Sequence, residues 1–547
     1  MNRREFVAGG SLAALATGSR RWPAWAEASR AGQTQSARGT PTAGQTAPEF
    51  SSDDKALQAV YDAALATLRR NVMRLAVSGK SDIPGPVLIE GSVYGGVWME
   101  CAPQEGQVYA EVGPEPDLAA DVARNNHLIF FSLQKEDGQL PCSVKPTGPG
   151  YGQIQMVAPI AATAWELAHA NGDEELLETA YAACGRWDAW LRQYRDTRGT
   201  GLCEGFCTYD TGQDNSPRWK GIPNSCPDHD ARKCPQAAGL PRLCPDLSAT
   251  VYGGRMALAA MAKALNKKDE ADQWTEDAEQ IRQLIIAKLY DPLEGAFYDL
   301  DADNKFVKIR SSTILNVLGE HVVNADVFET IWQKQVHNAK AFWAPYPFPS
   351  VALDDPEFVR PIPRNSWGGA AQALTALRAT RWMEHYGKPA ELAWMMQRWV
   401  EALMRAKGEF RQQLDPVTGV FTEADPGGYS PAALMFLEFL WRLSGVREHG
   451  ELVEWNVHAP DRPARFSRHV GTATLELDYD GARAELRMGG RRLARVSGVV
   501  RLLTTKTGDL NAAIGIADSE QPVTVDVTGR LKRGFRIAPD QRVELGA

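Results

Sequence analysis

No stretch of this 547-residue chain reaches the ~20 consecutive apolar residues that a bilayer-spanning helix requires, so no membrane span is expected. Positive charge is also in short supply. Lys and Arg number 60 against 68 Asp and Glu, a formal charge of −8, which leaves no electrostatic footprint for nucleic acid. Eight cysteines are too few to build a disulfide scaffold for a chain this long, yet too many to pass over. What is abundant is tryptophan, 16 residues beside 14 Tyr and 17 Phe. Indole rings fill cores, and they also make the flat walls of binding clefts. The length suffices for two or three domains with a full-sized core.

Asn2-Arg3-Arg4-Glu5-Phe6-Val7, a small apolar run to Ala16 and the small-x-small site Ala24-Trp25-Ala26 read as a twin-arginine export signal over residues 1–26. A periplasmic or secreted mature protein is expected, in a compartment where disulfides are chemically permitted. Residues 27–50, rich in Ala, Gly, Ser, Thr and Gln without periodicity, read as a flexible linker.

From 51 to 453 the chain is a succession of helical patterns with long loops. One stripe runs Leu176, Ala180, Cys184, Trp187, Leu191, Tyr194. Others run Trp274, Ala278, Ile281, Ile285 and Leu392, Met396, Trp399, Leu403. Ser430-Pro431 reads as an N-cap followed by proline at the first helical position. Tyr290-Asp291-Pro292-Leu293-Glu294-Gly295-Ala296-Phe297 is echoed by Leu414-Asp415-Pro416-Val417-Thr418-Gly419-Val420-Phe421, and Asp196-Thr197-Arg198-Gly199 is a weaker copy. Repeated helix pairs with irregular loops point to a closed ring of helical hairpins. Residues 454–547 change period. Ala473, Leu475, Leu477 and Tyr479 alternate, Asp480-Gly481 turns, and Ala482, Ala484, Leu486 and Met488 alternate again, the signature of a small antiparallel β module.

The richest segment for chemistry is Tyr209-Asp210-Thr211-Gly212-Gln213-Asp214-Asn215-Ser216-Pro217-Arg218-Trp219, with two carboxylates, an Arg and a Trp in a loop that Gly212 and Pro217 keep from being helical. Composition alone favours a capped helix connection, with Asp214 as an N-cap and Arg218 in a surface pair. Gly212 through Trp219, however, resembles the general-acid loop of glycoside hydrolase family 63 and its mannosylglycerate-hydrolase-like relatives. Gln134–Pro141, Pro245-Asp246-Leu247-Ser248-Ala249, Ser366-Trp367-Gly368-Gly369, Asp415–Gly419 and Gly428-Tyr429-Ser430-Pro431 resemble further family loops in family order, over residues 90–446.

The resemblance implies a mainly α (α/α)6 barrel and an inverting glycosidase acting on a small α-linked glycoside or oligosaccharide. In that mechanism one carboxylic acid protonates the leaving oxygen, and a second carboxylate activates water from the opposite face. Asp214 matches the acid. At the family's base position, four residues before Pro416, this chain carries Gln412, a neutral amide that cannot take a proton from water. Glu423 and Glu409 rank as stand-ins above Asp415. Gln412 also motivates the alternative of a carbohydrate-binding relative without catalysis. The family's Arg after Trp367 is replaced by Gly368.

Asp210 and Gln412 are assigned to substrate contact, Arg218 and Asp246 to substrate contact or acid positioning. Trp98, Trp219, Trp343 and Trp367 are assigned to sugar-stacking platforms, whereas Trp187, Trp190, Trp274, Trp382 and Trp399 are assigned to the core. Cys203, Cys207, Cys226, Cys234 and Cys244 cluster around the acid loop with His229 among them, and disulfide stapling is favoured there over zinc. No cofactor or metal is called for. The partner expected is a small carbohydrate; the sequence leaves the oligomeric state open.

Overall fold

A computed structural model describes residues 48–422, 426–471, 473–528 and 532–546. The export segment and most of the linker lie outside them. The linker's last residues do not belong to a linker, because Glu49–Ser52 is a strand that pairs antiparallel with Ala464–Val470.

Twelve α-helices stand among the described residues: α1 (Lys55–Asn71), α2 (Ala102–Val112), α3 (Pro116–Phe131), α4 (Ile160–Asn171), α5 (Glu174–Tyr194), α6 (Pro245–Ala264), α7 (Lys268–Leu289), α8 (Thr313–Gly319), α9 (Ala325–Ile331), α10 (Ala373–Trp382), α11 (Pro389–Arg405) and α12 (Ser430–Ser444). The even-numbered helices form an inner ring. Each packs on the next, and α12 closes back on α2. The odd-numbered helices form the outer layer, α1 against α12, α3 against α2, α5 against α4, α7 against α6 and α11 against α12. Helix α9 docks through Phe328, which stacks on Tyr386 at 4.1 Å.

Composition explains the two layers. Inner α12 buries almost every side chain, as a helix apolar all round must. Outer α7 buries only Ala278, Ile281, Ile285 and Leu289, so three of the four positions in its predicted stripe are buried. The α5 stripe holds as well, from Leu176 to Leu191. Of the tryptophans assigned to the core, Trp187, Trp190, Trp382 and Trp399 are buried, while Trp274 is partly buried. Helix α12 starts one residue earlier than expected. Tyr429 takes the N-cap position, and the Ser430 hydroxyl donates to Ile89 O instead.

The sequence echo is a shared turn. Asp291 Oδ1 accepts from the N–H of Leu293 and Glu294, and Asp415 Oδ1 from Val417 and Thr418. In both, the glycine N–H returns to the Asp carbonyl at 2.8 Å with φ near +65 to +69°.

The β region starts at Val446, eight residues before the expected boundary. It forms two antiparallel sheets. The first runs Glu49–Ser52, Ala464–Val470, Ala473–Tyr479, Arg483–Met488, Arg491–Ser497, Gln521–Val527, Lys532–Ile537. The second runs Val446–His449, Leu452–Val457, Val500–Thr505, Leu510–Gly515, Arg542–Glu544. Phe466 packs edge-on against Trp441 of α12 at 5.2 Å, so module and barrel share one core. Buried arginines cross the same seam, Arg501 reaching Glu384 at 2.8 Å and Arg447 reaching Glu111 at 3.2 Å.

The helix order also places the site. Connections from inner to outer helices are short, such as Gly172-Asp173, whereas those from outer to inner are long. Residues 72–101, 195–244, 337–372 and 406–429 are all of the long kind, so they gather on one rim of the barrel.

Candidate active site

The acid-loop motif opens on a 3-10 turn, Thr208–Thr211, and breaks at Gly212. Gly212 has φ +63°, and a Cβ added there would lie 1.7 Å from Glu100 Oε2, so glycine is required by both conformation and space. Two residues on, Asp214 is half-buried at the rim. Its Oδ2 accepts from Asn365 Nδ2 at 2.7 Å, its carbonyl accepts from Trp367 N at 3.0 Å, and Asn215 donates to Asn365 O at 2.8 Å. Burial raises the Asp214 carboxyl from 3.8 to about 6, against the opposing pull of the Asn365 hydrogen bond. A carboxyl that keeps its proton close to neutrality has the property a general acid needs.

Beneath the loop, Arg218 is buried and forks onto two carboxylates, Asp246 at 2.6 and 2.7 Å and Asp299 at 2.7 and 2.6 Å. It also donates to Gln213 Oε1 at 3.3 Å. A second buried pair joins Arg195 and Asp210, whose carboxylate further accepts from the N–H of Ile154, Phe206 and Cys207. These pairs correct the substrate contact expected of Asp210, and they favour the positioning role for Arg218 and Asp246: all three hold the acid loop from below. Trp219 and Trp367 are corrected for the same reason. Both rings are buried, and Trp219 lies between Arg218 and Arg242 with its Nε1 donating to Thr211 Oγ1. Trp343 is packed with Trp332, His337, Phe348 and Trp394, which makes it part of an aromatic cluster reaching outer helix α11.

Four groups do converge with Asp214. Gln412 Nε2 donates to Asn365 Oδ1 at 3.2 Å, and Tyr94 Oη donates to Gln412 Oε1 at 3.0 Å. The Tyr94 ring meets Trp98 edge-on at 5.5 Å, and Trp98 is partly open. The chain Asp214–Asn365–Gln412–Tyr94–Trp98 thus spans the four long connections. Asn365, Tyr94 and Glu100 escaped the sequence reading, although each lies within a few residues of a quoted tryptophan.

Glu100 is partly open, and its carboxyl is pushed well above the usual range by burial and by the charges of Glu90 and Asp214. Glu90, fully covered, accepts from Tyr429 Oη at 2.7 Å. Glu105 lies behind, raised to about 8 by burial. Of the expected stand-in bases, Glu409 is exposed and paired with Arg411 at 2.6 Å, so its carboxylate is occupied at the surface. Asp415 is the turn residue described above and pairs with Arg360 at 2.9 Å. Glu423 lies outside the described residues. The structure shows all eight cysteines unbonded, and Cys207 and Cys226 face each other with Sγ atoms 3.8 Å apart.

A family model described as the mannosylglycerate hydrolase MGH1-like glycoside hydrolase domain matches residues 117–430, more than half of the chain. The chain belongs to this glycoside hydrolase family. The matched span contains the acid loop, Asn365 and Gln412, whereas the Trp98–Glu100 connection precedes it. Solved structures share the fold. The glycoside hydrolase family 63 mannosylglycerate hydrolase of Thermus thermophilus in complex with glucose is 19% identical, with a TM-score of 0.54 over 69% of this chain and 99% of that one. An uncharacterized conserved protein of the same organism gives 20%, 0.55, 69% and 99%. The neutral trehalase of Saccharomyces cerevisiae gives 14%, 0.53, 70% and 80%. No curated protein matches the sequence. As a glycoside hydrolase of this family, the chain has a carbohydrate as its substrate.

Proposed function

We propose that the protein is an exported, inverting glycosidase that cleaves a small α-linked glycoside, with Asp214 as general acid. The observation that carries this reading is Asp214 itself. It is a desolvated carboxyl at about 6, held by Asn365 at the rim where four long connections meet. Its proton goes to the glycosidic oxygen as the bond to the anomeric carbon lengthens. Trp98 offers the partly open ring against which a sugar face stacks, with Tyr94 edge-on beside it. The neighbour's substrate, mannosylglycerate, is itself a small glycoside, which supports a small substrate here. Arg3-Arg4 at the head of the chain supports export.

The attacking water needs a carboxylate on the face opposite Asp214. Gln412 cannot serve, and we assign the role to Glu423. Its sequence neighbour Thr422 is held against Gln413, which donates to Thr422 Oγ1 at 3.2 Å and accepts from Thr422 N at 3.4 Å. Thr422 thus lies beside the Gln412 segment.

The test is hydrolysis of a panel of α-glycosides, mannosylglycerate included, followed by proton NMR of the sugar released in the first minutes. The β-anomer appearing first is expected; the α-anomer first would show retention. Turnover surviving Asp214→Asn would refute the acid assignment. Turnover surviving Glu423→Gln, or a Glu423→Gln loss that azide fails to rescue, would refute the base assignment. Binding without hydrolysis by wild type would favour the non-catalytic alternative that Gln412 raises.

A further inference from the structure

We infer that Cys207 and Cys226 form a disulfide that closes the acid loop into a covalent ring. The two Sγ atoms are 3.8 Å apart, and both side chains are buried in a small cluster with Phe206, against which Cys234 packs. The residues between them, 208–225, include the whole stretch from the 3-10 turn through Asp214 to Trp219. Cys207 caps that turn, its side chain accepting from the backbone of Asp210. A bond here would therefore tie the base of the acid loop to the insertion that follows it.

The same pair with Asp210 has the spacing of a three-ligand metal site. The chemistry of the donors argues against that use. Both Asp210 oxygens already accept from Arg195 and from backbone N–H groups. The Arg195 guanidinium also stands 3.8 Å from Cys226 Sγ, a fixed positive charge where a cation would have to sit. A thiolate formed on Cys226 would meet that charge, and the thiolate is the attacking species in exchange.

Oxidation proceeds by thiol–disulfide exchange with an external disulfide, small or protein-borne. The Cys226 thiolate attacks one sulfur of the oxidant, breaking its S–S bond and releasing one thiol. The Cys207 thiolate then attacks Cys226 Sγ, displacing the second. In sum two protons and two electrons pass to the oxidant, which leaves as two thiols. Residues 227–229 are exposed, so opening of that surface turn brings Cys226 to solvent while the barrel stays folded. A protein that crosses a membrane already folded can therefore acquire the bond on arrival.

The full mature chain is incubated with glutathione disulfide or with dithiothreitol, alkylated under denaturing conditions and mapped by mass spectrometry. The expected result is two fewer alkylated cysteines in the oxidised sample and a linked peptide pair carrying Cys207 and Cys226. Trypsin nicking after exposed Lys220 gives a second readout. The two halves stay joined on a non-reducing denaturing gel and separate on a reducing one, and Cys226→Ser removes the difference. Both thiols alkylated after oxidation, a link from either one to Cys234, or stoichiometric zinc in the untreated protein would each overturn the inference. These readouts do not depend on catalysis, so they stand or fall apart from the proposed activity.

Discussion

In its proposed role as general acid, Asp214 trades stability for chemistry. Its folded value of about 6 lies above the ordinary 3.8, so the folded protein holds the proton more tightly than the unfolded chain does. The stabilising contribution is complete below about 4 and is lost as pH rises through 6. Two outcomes follow. Activity that requires the protonated acid should decline above pH 6, read from the alkaline limb of the kcat/KM profile. Asp214→Asn should cut turnover by roughly 10²–10⁴-fold. The same variant should raise the unfolding free energy at pH 8 by about 1–3 kcal/mol, with little change at pH 4, as measured by denaturant titration. A variant that loses activity and stability together at pH 8 would contradict this account.

At the scale of elements, the acid loop is an exposed segment resting on buried charge. Arg218 is shared by Asp246 and Asp299, so removing it leaves two carboxylates without their cation. Arg218→Met is expected to cost about 3–5 kcal/mol, visible as a lowered thermal midpoint. Arg218→Lys should recover only part, because an ammonium cannot fork onto both acids. Gly212→Ala acts differently. The new methyl displaces the Glu100 carboxylate or the loop, and a misplaced acid should lower kcat roughly 10²-fold with the fold retained by circular dichroism.

This division marks what the sequence made legible. Asp214, proposed as the acid, and Gly212 stand out because a glycine-broken loop with Asp, Arg and Trp is compact in sequence. Whether Asp210, Arg218, Asp246 and Trp219 face outward or downward was not. That depends on Arg195, 15 residues from Asp210, and on Asp299 and Thr313, which accept from Arg218 across 81 and 95 residues, and no periodicity records the meeting. Tyr94 and Asn365 were missed for a related reason, since their partners, Gln412 and Asp214, are 318 and 151 residues away in the chain. Helix stripes, whose partners are local, came through far better.

For the whole molecule, barrel and β module are joined through a charged seam. Burial would raise the Glu384 carboxyl, but Arg501 and Arg442 hold it below its usual range. A depressed carboxyl contributes stability that is present above its unfolded value and lost as pH falls through the folded one. Arg501→Met should therefore destabilise the protein by about 3–5 kcal/mol at pH 7, and less in acid once Glu384 is protonated. Chemical denaturation at pH 7 and pH 3 checks this; an equal loss at both would remove the ion pair as its cause. Deleting the chain from Val446 onward would bare Trp441 and Phe50, which both pack on Phe466, and insoluble protein is the expected outcome.

The strand Glu49–Ser52 has a consequence for the order of events during synthesis. It is among the first described residues to leave the ribosome, yet its partner, Ala464–Val470, is more than four hundred positions later. Helix α1 likewise waits for α12. An emerging chain can stack its middle hairpins one upon another, but its head has nothing to hold until nearly all of the polypeptide has been made. A ribosome stalled short of residue 464 would hold an open arc of helices with an unclaimed leading edge, and chaperones that bind exposed apolar surface should be found there.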